Sequence, residues 1–153
     1  MGFSVSGATA ILFIAMFVSF GVLYTATYNG FERVTDARNA ETDRALTQRN
    51  TAVNVTDVDD GGDYLNVTVN NTGSTALNVN DTDLLVNGSY VTSEDVVNRT
   101  VEGDGETSLW LPGETLRVEV DVSSDPWNVD DVSSVSWQVK VVTGPGVADT
   151  EVV

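Results

Sequence analysis

Two patterns of apolar positions divide the chain. From Gly2 to Phe31 thirty successive positions carry no charge, and Ala10 to Tyr24 is almost wholly apolar, interrupted by Ser19 and Gly21. A bilayer core takes roughly 20 such residues as a helix, so the run predicts a membrane anchor with Tyr24 and Tyr28 at the water interface. After Tyr28 the stripe Phe31, Val34, Arg38, Glu41 and Ala45 loses its apolar character, which predicts a solvated helical stalk. Glu41 stands three residues from Arg38 and Arg44, and Asp36 three from Arg33, spacings that support such a helix. From Val53 the period falls to two. Leu65, Val67 and Val69 alternate with Tyr64, Asn66, Thr68 and Asn70. Leu116, Val118, Val120 and Val122 alternate with Thr115, Arg117, Glu119 and Asp121, and Val135, Trp137, Val139 and Val141 repeat the pattern.

Between these runs lie turn signals: Asp60-Gly61-Gly62, Asn71-Thr72-Gly73, Asn87-Gly88, Pro112-Gly113 and Gly144-Pro145-Gly146. A two-residue turn at Asn87-Gly88 pairs Val86 with Ser89 and sets Leu85 opposite Tyr90. Six or more short strands, each with one apolar face, need a second sheet to cover that face. The expected fold is therefore a single transmembrane helix and helical stalk followed by an all-β, immunoglobulin-like sandwich. The expected boundaries are residues 1–31 for the anchor, 32–50 for the stalk and 51–153 for the sandwich. At ~1.5 Å per residue the stalk spans on the order of 30 Å. Trp110, Trp127 and Trp137 read as core fillers or lids, and Trp127, beside Pro126 in a polar loop, is the one to test as a surface contact.

Charge sharpens the division. Glu32 to Asn50 holds four acids and four arginines; the remaining 19 acidic residues face only Arg99, Arg117 and Lys140, so the net charge of −16 falls from Thr51 onward. Such a domain repels nucleic acid. Self-repulsion is relieved by screening, so the charge fits a salt-rich solvent and a halophilic source. The 153 residues include neither cysteine nor histidine. That removes thiol and imidazole nucleophiles and bases and most zinc sites, leaving carboxylates as the titratable groups near neutral pH.

The carboxylates do not spell out a site. Asp57, Asp59, Asp60 and Asp63 resemble part of a calcium loop, but Thr68 stands where a bidentate acid belongs. Neighbouring pairs such as Asp59 and Asp60, or Asp130 and Asp131, lie on surface turns with no shared cleft. The expectation is a non-enzyme with no catalytic, metal or cofactor-binding residues. Six Asn-x-Ser/Thr sequences, at Asn54, Asn66, Asn70, Asn80, Asn87 and Asn98, are candidate N-glycosylation acceptors, and their number points to an exterior location. Asn66 and Asn70 read as solvent-facing, whereas Asn87 sits in a tight turn.

The flanks of the helix give mixed signals about orientation. No basic stretch precedes the apolar run, which predicts an uncleaved anchor rather than a secretory signal or a processed filament subunit. Arg33, Arg38, Arg44 and Arg49 follow the helix, so the positive-inside tendency favours a cytoplasmic domain. The opposite flank offers almost nothing to count, and the exterior placement is preferred. Ser4, Ser6, Gly7, Thr9, Ser19 and Gly21 suit close helix packing, which leaves a homo-oligomer open.

The stretch MGFSVSGATAILFIAMFVSFGVLYTATYNGFERVTDA resembles the F-protein family of the archaellum, the archaeal flagellum, as found in haloarchaea. LNVTVNNTGSTALNVNDTDLLVNGSYV and LWLPGETLRVEV extend the likeness to about Val142, while the acidic insert Ser93 to Glu106 reads as a variable loop. The resemblance implies a single-pass anchor in the cell membrane and a sandwich beneath the surface layer. It also implies binding to the surface-layer protein and action with the archaellum G protein as a stator component. No short motif marks the contact surface, so the partner-binding residues stay unknown. The alternative is a pilin- or archaellin-like filament subunit. An envelope glycan hydrolase would need two acids facing one another in a cleft.

Overall fold

The computed structural model describes residues 3–123, 126–127 and 136–153. The chain divides into two compact units, Met1–Asp43 and Arg44–Val153. Helix α1, Phe3–Asn50, runs unbroken for 48 residues and enters the second unit with its last turns. It is long and apolar enough, by length and composition, to cross a membrane. Its large side chains from Ile11 to Phe31 are exposed, as a lipid-facing surface requires. Hydroxyls along it turn back onto the preceding turn: Ser19 Oγ donates to the Ala15 carbonyl at 2.8 Å and Thr25 Oγ1 to that of Gly21 at 3.0 Å. That bonding satisfies polar groups which lipid could not. Tyr24 and Tyr28 stack one turn apart, with ring centres 6.4 Å from each other.

In the second unit ten strands follow among the described residues: β1 (Val53–Asp60), β2 (Tyr64–Asn71), β3 (Leu77–Asn78), β4 (Asp83–Val86), β5 (Ser89–Tyr90), β6 (Val96–Val101), β7 (Leu109–Trp110), β8 (Thr115–Asp121), β9 (Gln138–Val142) and β10 (Ala148–Val152). They form two antiparallel four-stranded sheets, ordered β1-β2-β8-β6 and β10-β9-β4-β5, with a small β3-β7 pair. The period of two decides what lies between them. Leu65, Val67 and Val69 of β2 and Leu116, Val118 and Val120 of β8 are buried, and so are Val86, Val139 and Val141 from the other sheet. Trp110 and Trp137 are core residues, as expected, whereas Val135 lies outside the described residues. The hairpin has the expected register, Val86 opposite Ser89 and Leu85 opposite Tyr90. Asn87 and Gly88 take φ of 51° and 81°, the left-handed pair that such a turn needs.

One sequence expectation is corrected, and one open test is decided. The segment Ser93 to Glu106 is not simply a loop, because Val96–Val101 is an edge strand paired with β8. A register shift between Val96 and Asn98 breaks the alternation, so the strand carries no clean period to read. Trp127 is the core filler that its reading with the other tryptophans favours, not the surface contact to be tested: it is buried, and its Nε1 donates to the Val86 carbonyl at 2.9 Å. A tryptophan in a polar loop can close a core when its one donor finds a carbonyl inside.

The exit of α1 is clasped by the sandwich. Only Thr51 and Ala52 separate the helix from β1. The Ser74 amide donates to the Asn50 carbonyl at 2.8 Å, and the Thr72 and Gly73 amides both donate to Ala52 at 2.9 Å. Gln48 Nε2 donates to the Pro145 carbonyl at 2.9 Å. The Asn50 carbonyl that the helix end leaves unpaired thus finds a donor in one loop of the β domain, while the Gln48 side chain donates to a carbonyl of another. Behind this clasp the buried Asn71 fixes its own loop. Its Nδ2 donates to the carbonyls of Thr75 and Trp110, and its Oδ1 accepts from the Gly73 amide.

Candidate functional site

The outward face of the β1-β2-β8-β6 sheet is largely polar, because most residues alternating with the core are Asp, Asn, Thr, Arg and Glu, with Tyr64 and Val97 as exposed exceptions on β2 and β6. The register arranges them in rows. Asp59, Asn66, Glu119 and Asn98 form one row, and Asp57, Thr68, Arg117 and Thr100 the next. Together they line an open groove of about 420 Å³. Arg117 stands on the strand that also carries Glu119, with Asp57 two strands away in its own row, so the groove holds three carboxylates and one guanidinium.

The acids singled out from the sequence are dispersed rather than gathered. Asp57 and Asp59 face this groove. Asp60 turns to the strand end, where its Oδ1 accepts from the Gly62 amide at 2.8 Å and its Oδ2 from Trp137 Nε1 at 3.0 Å. Among the described residues no group of three or more Asp or Glu comes together in a way that could hold a metal ion. Asp130 and Asp131 lie outside the described residues.

The six acceptor asparagines separate by environment. Asn54, Asn66 and Asn98 are exposed on the outward face of this sheet, and Asn70 lies on the same face opposite Asn54, half-buried, with its Oδ1 shut from solvent and unpartnered. Asn80 sits in a short 3-10 turn, Val79–Asp81, and the hydroxyl of its acceptor partner Thr82 is tied to the Asn78 carbonyl at 3.0 Å. Asn87 Oδ1 accepts from the Gln138 amide at 2.9 Å inside the hairpin turn.

Elsewhere two groups have shifted titration. The carboxylate of Asp83 accepts a hydrogen bond from the Tyr90 hydroxyl at 3.1 Å, which with its charge raises the phenol above its ordinary value. Asp121 is lowered, because its Oδ1 accepts from the Ser123 hydroxyl at 2.6 Å and from the Ser123 amide at 2.9 Å. Sequence reasoning missed Arg99, whose Nη1 donates to the Val79 carbonyl at 3.2 Å while its buried Nε has no partner. Its opposite number across the strands is the buried Val118, so the residue points inward, a direction that only the β6 register reveals. Sequence reasoning also missed a notch beside the helix exit, about 580 Å³, lined by Thr47, Ala76, Leu77, Asp81 and Pro145 among others.

The chain is similar in fold to a known protein of the archaellum. One solved structure, the archaellum periplasmic stator protein FlaG from Sulfolobus acidocaldarius, superposes with a TM-score of 0.53 at 15% identity, over 67% of this chain and 99% of that one. The archaellum periplasmic stator protein complex of FlaF and FlaG from the same organism gives 0.49 at 15% identity, over 66% and 87%. No curated protein matches the chain. At such identity the likeness to FlaG speaks for the immunoglobulin-like fold. Archaeal-type flagellin matches residues 2–150. Because that match runs through helix and sandwich alike, and not through the apolar segment alone, the chain belongs to the archaeal-type flagellin family.

Proposed function

We propose that the chain is an F-type stator component of the archaellum: anchored in the cell membrane by α1, its sandwich outside the cytoplasm beneath the surface layer, holding the motor against the envelope. The observation that carries this reading is the clasp at the helix exit. A part that passes load between a lattice and a membrane needs a stiff joint, and here the Ser74–Asn50 and Gln48–Pro145 hydrogen bonds fasten the last turn of the helix to the sandwich with no flexible linker. Membership of the archaeal-type flagellin family and the fold shared with FlaG support it. The partners proposed are the surface-layer protein and the archaellum G protein, and the role is binding rather than catalysis. The direct test is capture of the full chain from envelope extract at high salt. Co-isolation of the surface-layer protein is the expected result, and a chain recovered without it would sink the reading.

The family assignment also favours a second reading, a filament subunit. The two part on where the chain is found. A stator component stays with the membrane when filaments are sheared from cells, whereas a subunit leaves with them.

A further inference from the structure

Asn54, Asn66 and Asn98 come from three different strands, yet pairing through β2 and β8 brings them onto one outward sheet face. Asn66 and Asn98 stand in the same row on either side of Glu119, about 10 Å apart at two strand spacings. In Asn66-Val67-Thr68 and Asn98-Arg99-Thr100 the two-residue period places the threonine on the same face as the asparagine amide, and all four residues line the groove. Asn54 shares the face, with Thr56 exposed at the β1 register shift although its hydroxyl donates to the Thr68 carbonyl at 3.2 Å. The other three acceptors are constrained, although Asn80 and Asn87 are themselves exposed. Asn70 faces Asn54 directly with its carbonyl buried, Asn80 depends on the buried Thr82, and the Asn87 carbonyl is held by the Gln138 amide.

We infer that Asn54, Asn66 and Asn98 carry N-linked glycans and that Asn70, Asn80 and Asn87 do not. The outward face of the β1-β2-β8-β6 sheet is then a sugar-covered face. The donor is an oligosaccharide on a lipid phosphate. The asparagine Nδ2 bonds to the anomeric carbon, the bond from that carbon to the phosphate oxygen breaks, the lipid phosphate leaves, and the amide gives one proton to the transferase. The inference rests on the exterior placement proposed above.

Two measurements on one preparation keep the two ideas separable. Protease is added to intact cells, and the full chain from the same membranes is analysed by glycopeptide mass spectrometry with site-localising fragmentation. The expected result is cleavage of the sandwich together with added sugar mass at Asn54, Asn66 and Asn98 only. Cleavage with all three sites bare, or with sugar on Asn70, Asn80 or Asn87 instead, overturns the inference and leaves the placement standing. Protection of the sandwich until lysis defeats the placement and the inference together. Thr68→Ala and Thr100→Ala, which keep the asparagines, each remove the sugar from one site, and Thr68→Ser retains it.

Discussion

At the scale of single residues, Gly73 shows how close packing of backbone constrains the chain. A Cβ there would lie 2.5 Å from the Ala52 nitrogen and 2.6 Å from the Asn50 oxygen, backbone atoms that cannot swing aside. Gly73→Ala should cost about 1–3 kcal/mol in a denaturant melt. Gly105→Ala, whose nearest neighbours would be 3.6 Å away, should stay within about 0.5 kcal/mol. Tyr90 gives a titration test. Its protonated form is favoured in the folded state, so the contribution to stability is present below the ordinary value of 10.0 and is lost as pH rises through the higher folded value. Asp83→Asn should bring the Tyr90 titration, followed by ring-proton NMR, back toward the ordinary value. An unchanged titration would show that the Asp83 hydrogen bond is not its cause.

Among the elements, α1 and the turns that receive it matter most. The sequence announces a turn at Asn71-Thr72-Gly73 through its residue types, but not that this turn closes on a helix end twenty or more residues earlier. The same turn presents the amides of Thr72, Gly73 and Ser74 to the stretch Asn50–Ala52. Inserting a short Gly-Ser segment between Asn50 and Thr51 should leave the sandwich with a cooperative melt while slowing swimming under viscous load. Swimming unaffected by the insertion would remove the mechanical role assigned to the clasp. Edges are treated as carefully as the joint: Asp149 Oδ2 accepts from the Val55 amide at 2.8 Å, filling a donor that β1 would otherwise offer to another chain.

For the whole molecule, charge sets the conditions of stability. With −16 concentrated from Thr51 onward, the second unit should lose melting temperature as salt is lowered, because self-repulsion is then unscreened. A melt that does not respond to sodium chloride between low and molar concentrations would count against this, and against a salt-rich habitat as its origin. Acidity acts separately. Asp121 contributes stability above its ordinary 3.8 that is lost as pH falls through its lower folded value, and Ser123→Ala should bring that loss to higher pH.

The helix from Phe3 onward, the inward faces of β2, β8 and β9 and the Asn87-Gly88 hairpin follow from the sequence by itself, since each depends on spacing within a few residues. Tertiary structure decided what came together across long stretches of chain. Trp127 meets Val86 over 41 residues, Asn71 meets Trp110 over 39, and Gln48 meets Pro145 over 97. Strand order alone made a single face of Asn54, Asn66 and Asn98, and the bulged β6 hid its own period. Periodicity fixes which way a side chain points within its element; only the pairing of elements, set by the shared core, fixes what that side chain meets.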